Sequence, residues 1–364
     1  MNEEKSPWGI LTGIRPVKIA SKLLREGMTA AEAEAHFVRE FGTSAEKARL
    51  AVGTAEVERP IVDGMYKNGV SLYIGIPFCP TRCLYCSFVS NSVARSAKLI
   101  PEYLDCLMRE IKYAADIIKG NGNVIETVYI GGGTPTTLSA EMLDRLFDCL
   151  YSQTDLSKIK EFTVEAGRPD TITEDKLKTI KKYNIGRISI NPQTMNPDVL
   201  KVIGRNHTPE DIEKAMYLAR ECGIECINMD LIAGLPSDTL DSFKSTVERV
   251  ERLKPENTTV HTMSVKRSSK LNEELADYSL TEGDTVSDMV DYAFRSLTEK
   301  GKHPYYLYRQ KHMLGNLENV GYSLPGTEGL YNIYIMEEMQ TIISLGCGGV
   351  TKTAKPTESN AFSM

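Results

Sequence analysis

A chain of 364 residues, 41% hydrophobic and 25% charged, is long enough for one large domain with attachments and has the make-up of an ordinary globular protein. Its formal net charge of -6, from 43 basic and 49 acidic residues, argues against wholesale binding to nucleic acid. No apolar run reaches the ~20 residues of a membrane span, Met1-Asn-Glu-Glu-Lys-Ser-Pro7 has no hydrophobic signal core, and eight cysteines are too few for a disulfide scaffold, so a reducing cytoplasm is expected.

Residues 1–62 read as a small helical segment. Pro16 opens a pattern through Val17, Ile19, Ala20, Leu23 and Leu24, and Thr29-Ala-Ala-Glu32 is a capping box before a second helix. Phe41-Gly-Thr-Ser44 ends that helix and caps a third, Ala45 to Glu58, with Pro60 expected to break the pattern before the Asp63-Gly64 turn.

From residue 63 to residue 280 strands and helices alternate, which predicts a parallel sheet of βαβ units. The strand candidates are Leu72–Ile76, Val124–Ile130, Glu161–Glu165, Arg187–Asn191, Cys226–Leu231 and Thr259–Val265. Helices are predicted over Pro101–Lys119, Ala140–Ser152, Glu174–Tyr183, Pro209–Glu221 and Leu240–Leu253. A curled (β/α) barrel and a flat doubly wound sheet share this alternation, and in both the polar residues at strand C-termini converge on one face. Residues 281–364 begin with a helix, Asp284–Lys300, and continue as an irregular extension rich in Tyr, Gly and Asn, with a loosely held tail from Lys352.

The first strand stops at Pro77 and is followed at once by Cys79, Cys83 and Cys86. Thiolates are soft ligands suited to zinc and iron–sulfur clusters. A structural zinc site needs four ligands and no fourth Cys or His is close behind, whereas a four-iron cluster on three thiolates keeps one iron free for a substrate. The other cysteines, Cys106, Cys149, Cys222, Cys226 and Cys347, read as small buried hydrophobes. A glycine turn, Gly131-Gly-Gly-Thr-Pro135, follows the second strand; Glu165 ends the third, Gln193 follows the fourth, and Asp230 lies in an apolar run at the end of the fifth. Lys266, Arg267 and Lys270 follow the sixth.

The CxxxCxxC spacing with Tyr85 before the last cysteine, flanked by Tyr73 and Ile76-Pro-Phe-Cys79, resembles the cluster loop of radical S-adenosylmethionine (SAM) enzymes. Within that superfamily the chain is similar to the oxygen-independent coproporphyrinogen III oxidases and haem chaperones. The helical start, Tyr305-Tyr-Leu-Tyr-Arg-Gln-Lys311 and Asn316-Leu-Glu-Asn-Val-Gly-Tyr322 resemble the coproporphyrinogen dehydrogenase branch, over about residues 8 to 352 of a family sequence that is normally longer at both ends.

The resemblance implies a partial six-stranded (β/α) barrel of radical SAM type, with the helical segment before it and the extension lying over its open mouth. It implies a 4Fe-4S cluster on Cys79, Cys83 and Cys86, and SAM held by Tyr73, Gly132, Gly133, Thr134, Glu165, Gln193, Arg205 and Asp230. His207 reads equally as a surface or a functional residue. The implied reaction is oxidative decarboxylation of coproporphyrinogen III propionates to vinyl groups, fed by a one-electron donor such as flavodoxin or ferredoxin. Lys266, Arg267, Arg309 and Lys311 are the candidates for binding substrate carboxylates. Ser87-Phe88 stand where the better-studied oxidases carry a further cysteine, which keeps a haem chaperone, or a radical SAM enzyme with another substrate, as alternative readings.

Overall fold

The first helices begin where capping chemistry marks them. The computed structural model of the protein describes residues 6–11, 15–88, 90–274, 276, 278–309 and 313–354. After α1 (Pro16–Arg25), Thr29 caps α2 (Ala30–His36): its hydroxyl accepts from Glu32 N at 3.3 Å and its N–H donates to Glu32 Oε2 at 2.8 Å. Ser44 accepts from Lys47 N and starts α3 (Ala45–Asp63). Pro60, expected to break this helix, lies inside it. It sits in the last turn, where its ring removes a single hydrogen bond; its own carbonyl still accepts from Gly64 N at 3.1 Å, and Ile61 and Val62 pack beside Tyr305, Ile333 and Tyr334.

Six parallel strands follow, β1 (Gly69–Ile76), β2 (Val124–Gly132), β3 (Glu161–Glu165), β4 (Arg187–Ser189), β5 (Cys226–Ala233) and β6 (Asn257–Thr262). Between them run α4 (Ile100–Gly120), α5 (Ala140–Gln153), α6 (Glu174–Lys182), α7 (Pro209–Glu221) and α8 (Leu240–Arg252). The six strands neighbour one another in chain order. Right-handed crossovers between sequential neighbours put all the helices on one side, so the sheet curls into a partial barrel. A doubly wound sheet needs the strand order to reverse, and this one does not.

The alternation along the strands matches that geometry. Leu72, Ile74, Val128, Ile130, Phe162, Val164 and Ile188 join the helices' Leu104, Leu107, Phe147 and Phe243 in one buried core. Ser71, Tyr73, Thr127, Tyr129, Thr163 and Glu165 have the opposite parity and line the inner face.

The segment after residue 280 is not irregular. It forms α9 (Gly283–Glu299), β7 (His303–Tyr308), β8 (Asn319–Ser323), α10 (Leu330–Glu337) and β9 (Thr341–Gly346), and its three strands extend the sheet to nine in the order β9-β1-β2-β3-β4-β5-β6-β8-β7. Tyr305–Tyr308, expected over the open mouth, are therefore part of a sheet strand, Tyr306 opposite Gly321, where any Cβ would collide with the tyrosine ring. α10 crosses the opposite end of the barrel, the floor at the strand N-termini. Glu161 accepts from Leu330 N at 2.8 Å and Tyr331 N at 3.1 Å, a carboxylate on the positive end of a helix. Arg187 bonds Asn257 Oδ1 and the carbonyls of Thr327 and Glu328, both at 3.0 Å. Fully buried Glu126 takes Lys160 at 2.6 Å, Gln340 at 2.6 Å and the Tyr334 hydroxyl at 3.0 Å. Part of the expected loose tail is also held, since Lys352 pairs with Ile342 in both directions, at 2.8 and 2.9 Å. Among the described residues no helix is long and apolar enough to cross a membrane.

Candidate functional site

The cysteine loop lies across the C-terminal end of the barrel and is pinned from three sides. Gly133 N donates to Ile76 O at 2.8 Å and Thr134 N to Phe78 O at 2.7 Å, so the glycine turn tucks under the loop. Gly132 has φ +106, and a Cβ on Gly133 would stand 2.6 Å from Phe78 O, so only glycine allows this approach. On the second side Leu84 N donates to Ile203 O at 3.0 Å and Thr81 Oγ1 to Gly204 O at 3.2 Å. On the third, Leu271 N donates to Leu84 O at 2.9 Å, and Ser268 O accepts from Arg82. Leu84, Leu200, Ile203, Leu235, Met263 and Leu271 form a separate apolar cluster there.

Cys79 and Cys86 are half-buried and Cys83 is buried. Burial pushes the Cys79 thiol up and the Cys86 thiol up to about 11; Cys83 adds to both shifts and Cys79 adds to that of Cys86. Ligand binding must therefore release their protons. Among the described residues no three His, Cys, Asp or Glu side chains converge as they would on a single ion. Three soft thiol donors on one loop, within electrostatic reach of one another, fit an iron–sulfur cluster. None of the remaining cysteines is fully buried, contrary to expectation: Cys106 and Cys347 are exposed and the others half-buried.

The expected SAM residues converge on the inner face and rim beside this loop. Tyr129 OH donates to Glu165 Oε1 at 2.6 Å. Burial, partly offset by that hydrogen bond, pushes the Glu165 carboxyl up to about 7, and Asp230 adds to the rise. Asp230 differs: burial would raise it too, but His261 at 3.8 Å, Asn228 Nδ2 at 2.7 Å and Thr259 outweigh burial and hold it below the usual carboxylate range. Gln193 has φ 67, a left-handed conformation that is costly for a residue with a side chain; its N–H donates to Asp230 O at 2.9 Å and its carbonyl accepts from Ile232 N at 3.0 Å. Arg205 is buried, gives one terminal nitrogen to Asn191 O and the other to Gly167 O at 3.2 Å, and leaves Nε without a partner. Tyr73, Tyr129 and Tyr331 stack below, with the Tyr129 and Tyr331 rings 4.6 Å apart, so the floor helix reaches the underside of the site.

Several residues here escaped the sequence reading. Arg168 places Nη1 3.7 Å from Cys83 Sγ. His207, which the sequence left equally open as a surface or a functional residue, is buried; both ring nitrogens lack partners, and burial together with Arg205 and Arg168 depresses it to about 3. Tyr129, Asn228 and His261 are polar residues of inward parity, and the Ser71-Leu-Tyr-Ile-Gly75 and Thr127-Val-Tyr-Ile-Gly131 alternation was the available signal.

The basic candidates separate. Lys266 is half-buried and Arg267 and Lys270 are exposed, on the loop that docks on the cysteines. Arg309 is 4% exposed and does not belong with them: it gives its terminal nitrogens to Leu11 O at 2.7 Å and Asn316 O at 3.0 Å and lies over the Trp8 ring, as a strut to the N-terminal segment. Lys311 falls outside the described residues.

Comparison with known proteins agrees with this geometry. The radical SAM superfamily model matches residues 73–250, which carry the cysteine loop and every expected SAM residue. Over 348 residues, 95% of this chain and 70% of the other, the sequence is 46% identical to the oxygen-independent coproporphyrinogen-III oxidase-like protein HemZ of Bacillus subtilis strain 168. The chain belongs to the radical SAM superfamily, in this oxidase-like branch. It is also 32% identical over 271 residues to the haem chaperone HemW of Lactococcus lactis subsp. lactis strain IL1403, covering 74% of this chain and 66% of the chaperone. The solved coproporphyrinogen III oxidase HemN from Escherichia coli, described as a radical SAM enzyme, superimposes with a TM-score of 0.63 at 23% identity, over 82% of this chain and 68% of that one; this likeness shows the fold. The cofactors of the superfamily are a 4Fe-4S cluster and SAM.

Proposed function

We propose that the protein is an oxygen-independent coproporphyrinogen III oxidase, acting in the cytoplasm on a porphyrinogen and fed by a flavodoxin- or ferredoxin-like donor. Cys79, Cys83 and Cys86 hold the cluster. Tyr73, Gly132, Gly133, Thr134, Glu165, Gln193, Arg205 and Asp230 hold SAM, with the Glu165 carboxylate accepting from its hydroxyls and the Arg205 guanidinium, whose Nε is unpartnered, attracting its carboxylate. Together the cluster and SAM supply one-electron cleavage and hydrogen-atom removal. Each of the two reacting propionates then loses one hydrogen atom, one carbon dioxide and, to a one-electron acceptor, one electron, and becomes a vinyl group. The chain's own task is placement and exclusion of water. In this reading 1–62 is the N-terminal segment, 63–280 the part that carries the cofactors, and 281–364 the extension, of which the described residues complete the sheet and floor.

The observation that carries the substrate assignment is the loop with Lys266, Arg267 and Lys270. Its direct docking on the cysteine loop, through Leu271 N to Leu84 O and Arg82 to Ser268 O, supports a role for these cations at the cluster position. A tetracarboxylate substrate needs such cations. Likeness to a haem chaperone, and Ser87-Phe88 in place of a further cysteine, favour the second reading, haem transfer without turnover. Anaerobic incubation with coproporphyrinogen III, SAM and reductant decides between them. The oxidase reading predicts released carbon dioxide and a product lighter by two carboxyl groups and four hydrogens fewer than simple decarboxylation leaves. Tight haem binding with no carbon dioxide would replace it with the chaperone reading.

A further inference from the structure

The three loop cysteines are held in different ways. Cys79 receives a neutral donor, Thr134 Oγ1 at 3.5 Å. Buried Cys83 instead faces two guanidiniums: Arg168, whose Nη1 lies 3.7 Å from its sulfur and also donates to Thr81 Oγ1 at 3.2 Å, and Arg205, whose terminal nitrogens are given to backbone carbonyls. The far edge of the Arg168 guanidinium is gripped by Asp170, Nε to Oδ1 at 3.2 Å and Nη2 to Oδ2 at 3.3 Å. The Arg168 carbonyl accepts from Thr171 N at 3.0 Å and Thr171 Oγ1 at 2.7 Å, which fixes the backbone. Arg168 is 3% exposed, so little water screens its charge. Anchoring alone does not call for this, because Thr81 to Gly204 O and Leu84 N to Ile203 O already pin the loop.

We propose, resting on the assignment of the three cysteines to the cluster, that Arg168 is a positioning residue that donates to the Cys83 thiolate and biases the bound cluster toward its reduced state. Hydrogen bonds to sulfur and nearby net charge set the potential of an iron–sulfur cluster. Reduction adds negative charge, so a buried N–H donor on a cation stabilises the reduced form more than the oxidised form and raises the potential. Asp170 neutralises the far edge of the guanidinium and orients the near edge at the sulfur. The pair therefore acts as a fixed dipole with its positive end on Cys83.

The test compares anaerobically reconstituted wild-type protein with Arg168→Gln and Arg168→Lys, counting iron and sulfide and titrating the reduced cluster by electron paramagnetic resonance. Arg168→Gln is expected to keep its iron and to become about tenfold harder to reduce, a shift of about 59 mV to more negative potential for a one-electron couple. Arg168→Lys keeps the charge without the two-edged grip and falls between. Unchanged midpoints in both variants overturn the proposal. Loss of iron from both, with the fold intact by circular dichroism, also overturns it and makes Arg168 a strut of the loop. Should Arg168→Gln alone lose iron, the Arg168→Lys midpoint decides: a negative shift supports the proposal and none overturns it. Wild-type protein that takes up no iron contradicts the cysteine assignment instead.

Discussion

The floor and the mouth of this barrel are built from the same kinds of residue and use them differently. On the floor, Glu126 is taken by Lys160, Gln340 and Tyr334, Glu161 by the first N–H groups of α10, and the terminal nitrogens of Arg187 by Asn257 and the carbonyls of Thr327 and Glu328, with only its Nε left over. At the mouth, Arg205 keeps an unpartnered Nε, His207 two unpartnered ring nitrogens, and Glu165 a carboxyl poised at about 7. Buried polar groups left without partners are costly unless a ligand satisfies them. Networks closed but for Arg187 Nε therefore mark the end that holds the fold, and the more open ones the end that holds cofactors.

The comparison breaks most visibly at Cys83. Cys83→Ala should abolish iron binding altogether while the melting curve of the apoprotein stays close to that of wild type; iron retained at wild-type stoichiometry would remove Cys83 from the ligand set. The floor should respond in the opposite sense. Glu161→Ala leaves Arg187, 3.5 Å away, without its carboxylate and α10 without its cap, and is expected to cost roughly 3–5 kcal/mol in chemical denaturation. Lost SAM affinity at unchanged stability would show that floor and mouth are not separate.

Asp230 sharpens the comparison from the other side. Asp230→Asn is expected to weaken SAM binding by about 1.5–3 kcal/mol with the cluster intact, and unchanged affinity in calorimetry would return Asp230 to a structural part. The smallest effect lies behind the floor, where Glu58 on α3 meets Glu337 on α10 with Lys18, Arg15 and Arg25 of the N-terminal segment nearby. Burial first, and Glu337 next, hold the Glu58 carboxyl well above its ordinary 4.5. The folded state then keeps a proton that the unfolded chain releases above that value, so this site's contribution falls as pH rises from 4.5. Glu58→Gln should flatten that slope and stabilise the protein at pH 8 by on the order of 1 kcal/mol. Equal melting shifts for the variant at pH 5 and pH 8 would contradict the shared-proton picture.

The barrel elements were legible because their signals are local. The strand Glu161–Glu165 and the helix Pro209–Glu221 stand where the alternation put them, and Thr208 caps the helix. The C-terminal strands were not, because β8 owes its existence to antiparallel pairing with β6 and β7 to antiparallel pairing with β8, and a Tyr- and Asn-rich stretch has no periodicity of its own to announce that. Arg309 followed a strand like a mouth cation, yet its partner Leu11 lies 298 residues earlier, a pairing no local pattern encodes. At the site the motif-bearing cysteines were readable from spacing. Arg168 was not, since its only mark is a position three residues beyond Glu165.

The central claim is that the mouth holds one cluster open to SAM. Electron paramagnetic resonance of the anaerobically reconstituted, dithionite-reduced protein, recorded with and without SAM, tests it most directly. The account predicts about four irons per chain and a reduced-cluster signal whose shape changes when SAM is added. Stoichiometric zinc without iron in protein purified free of oxygen, or a cluster signal indifferent to saturating SAM, would contradict it.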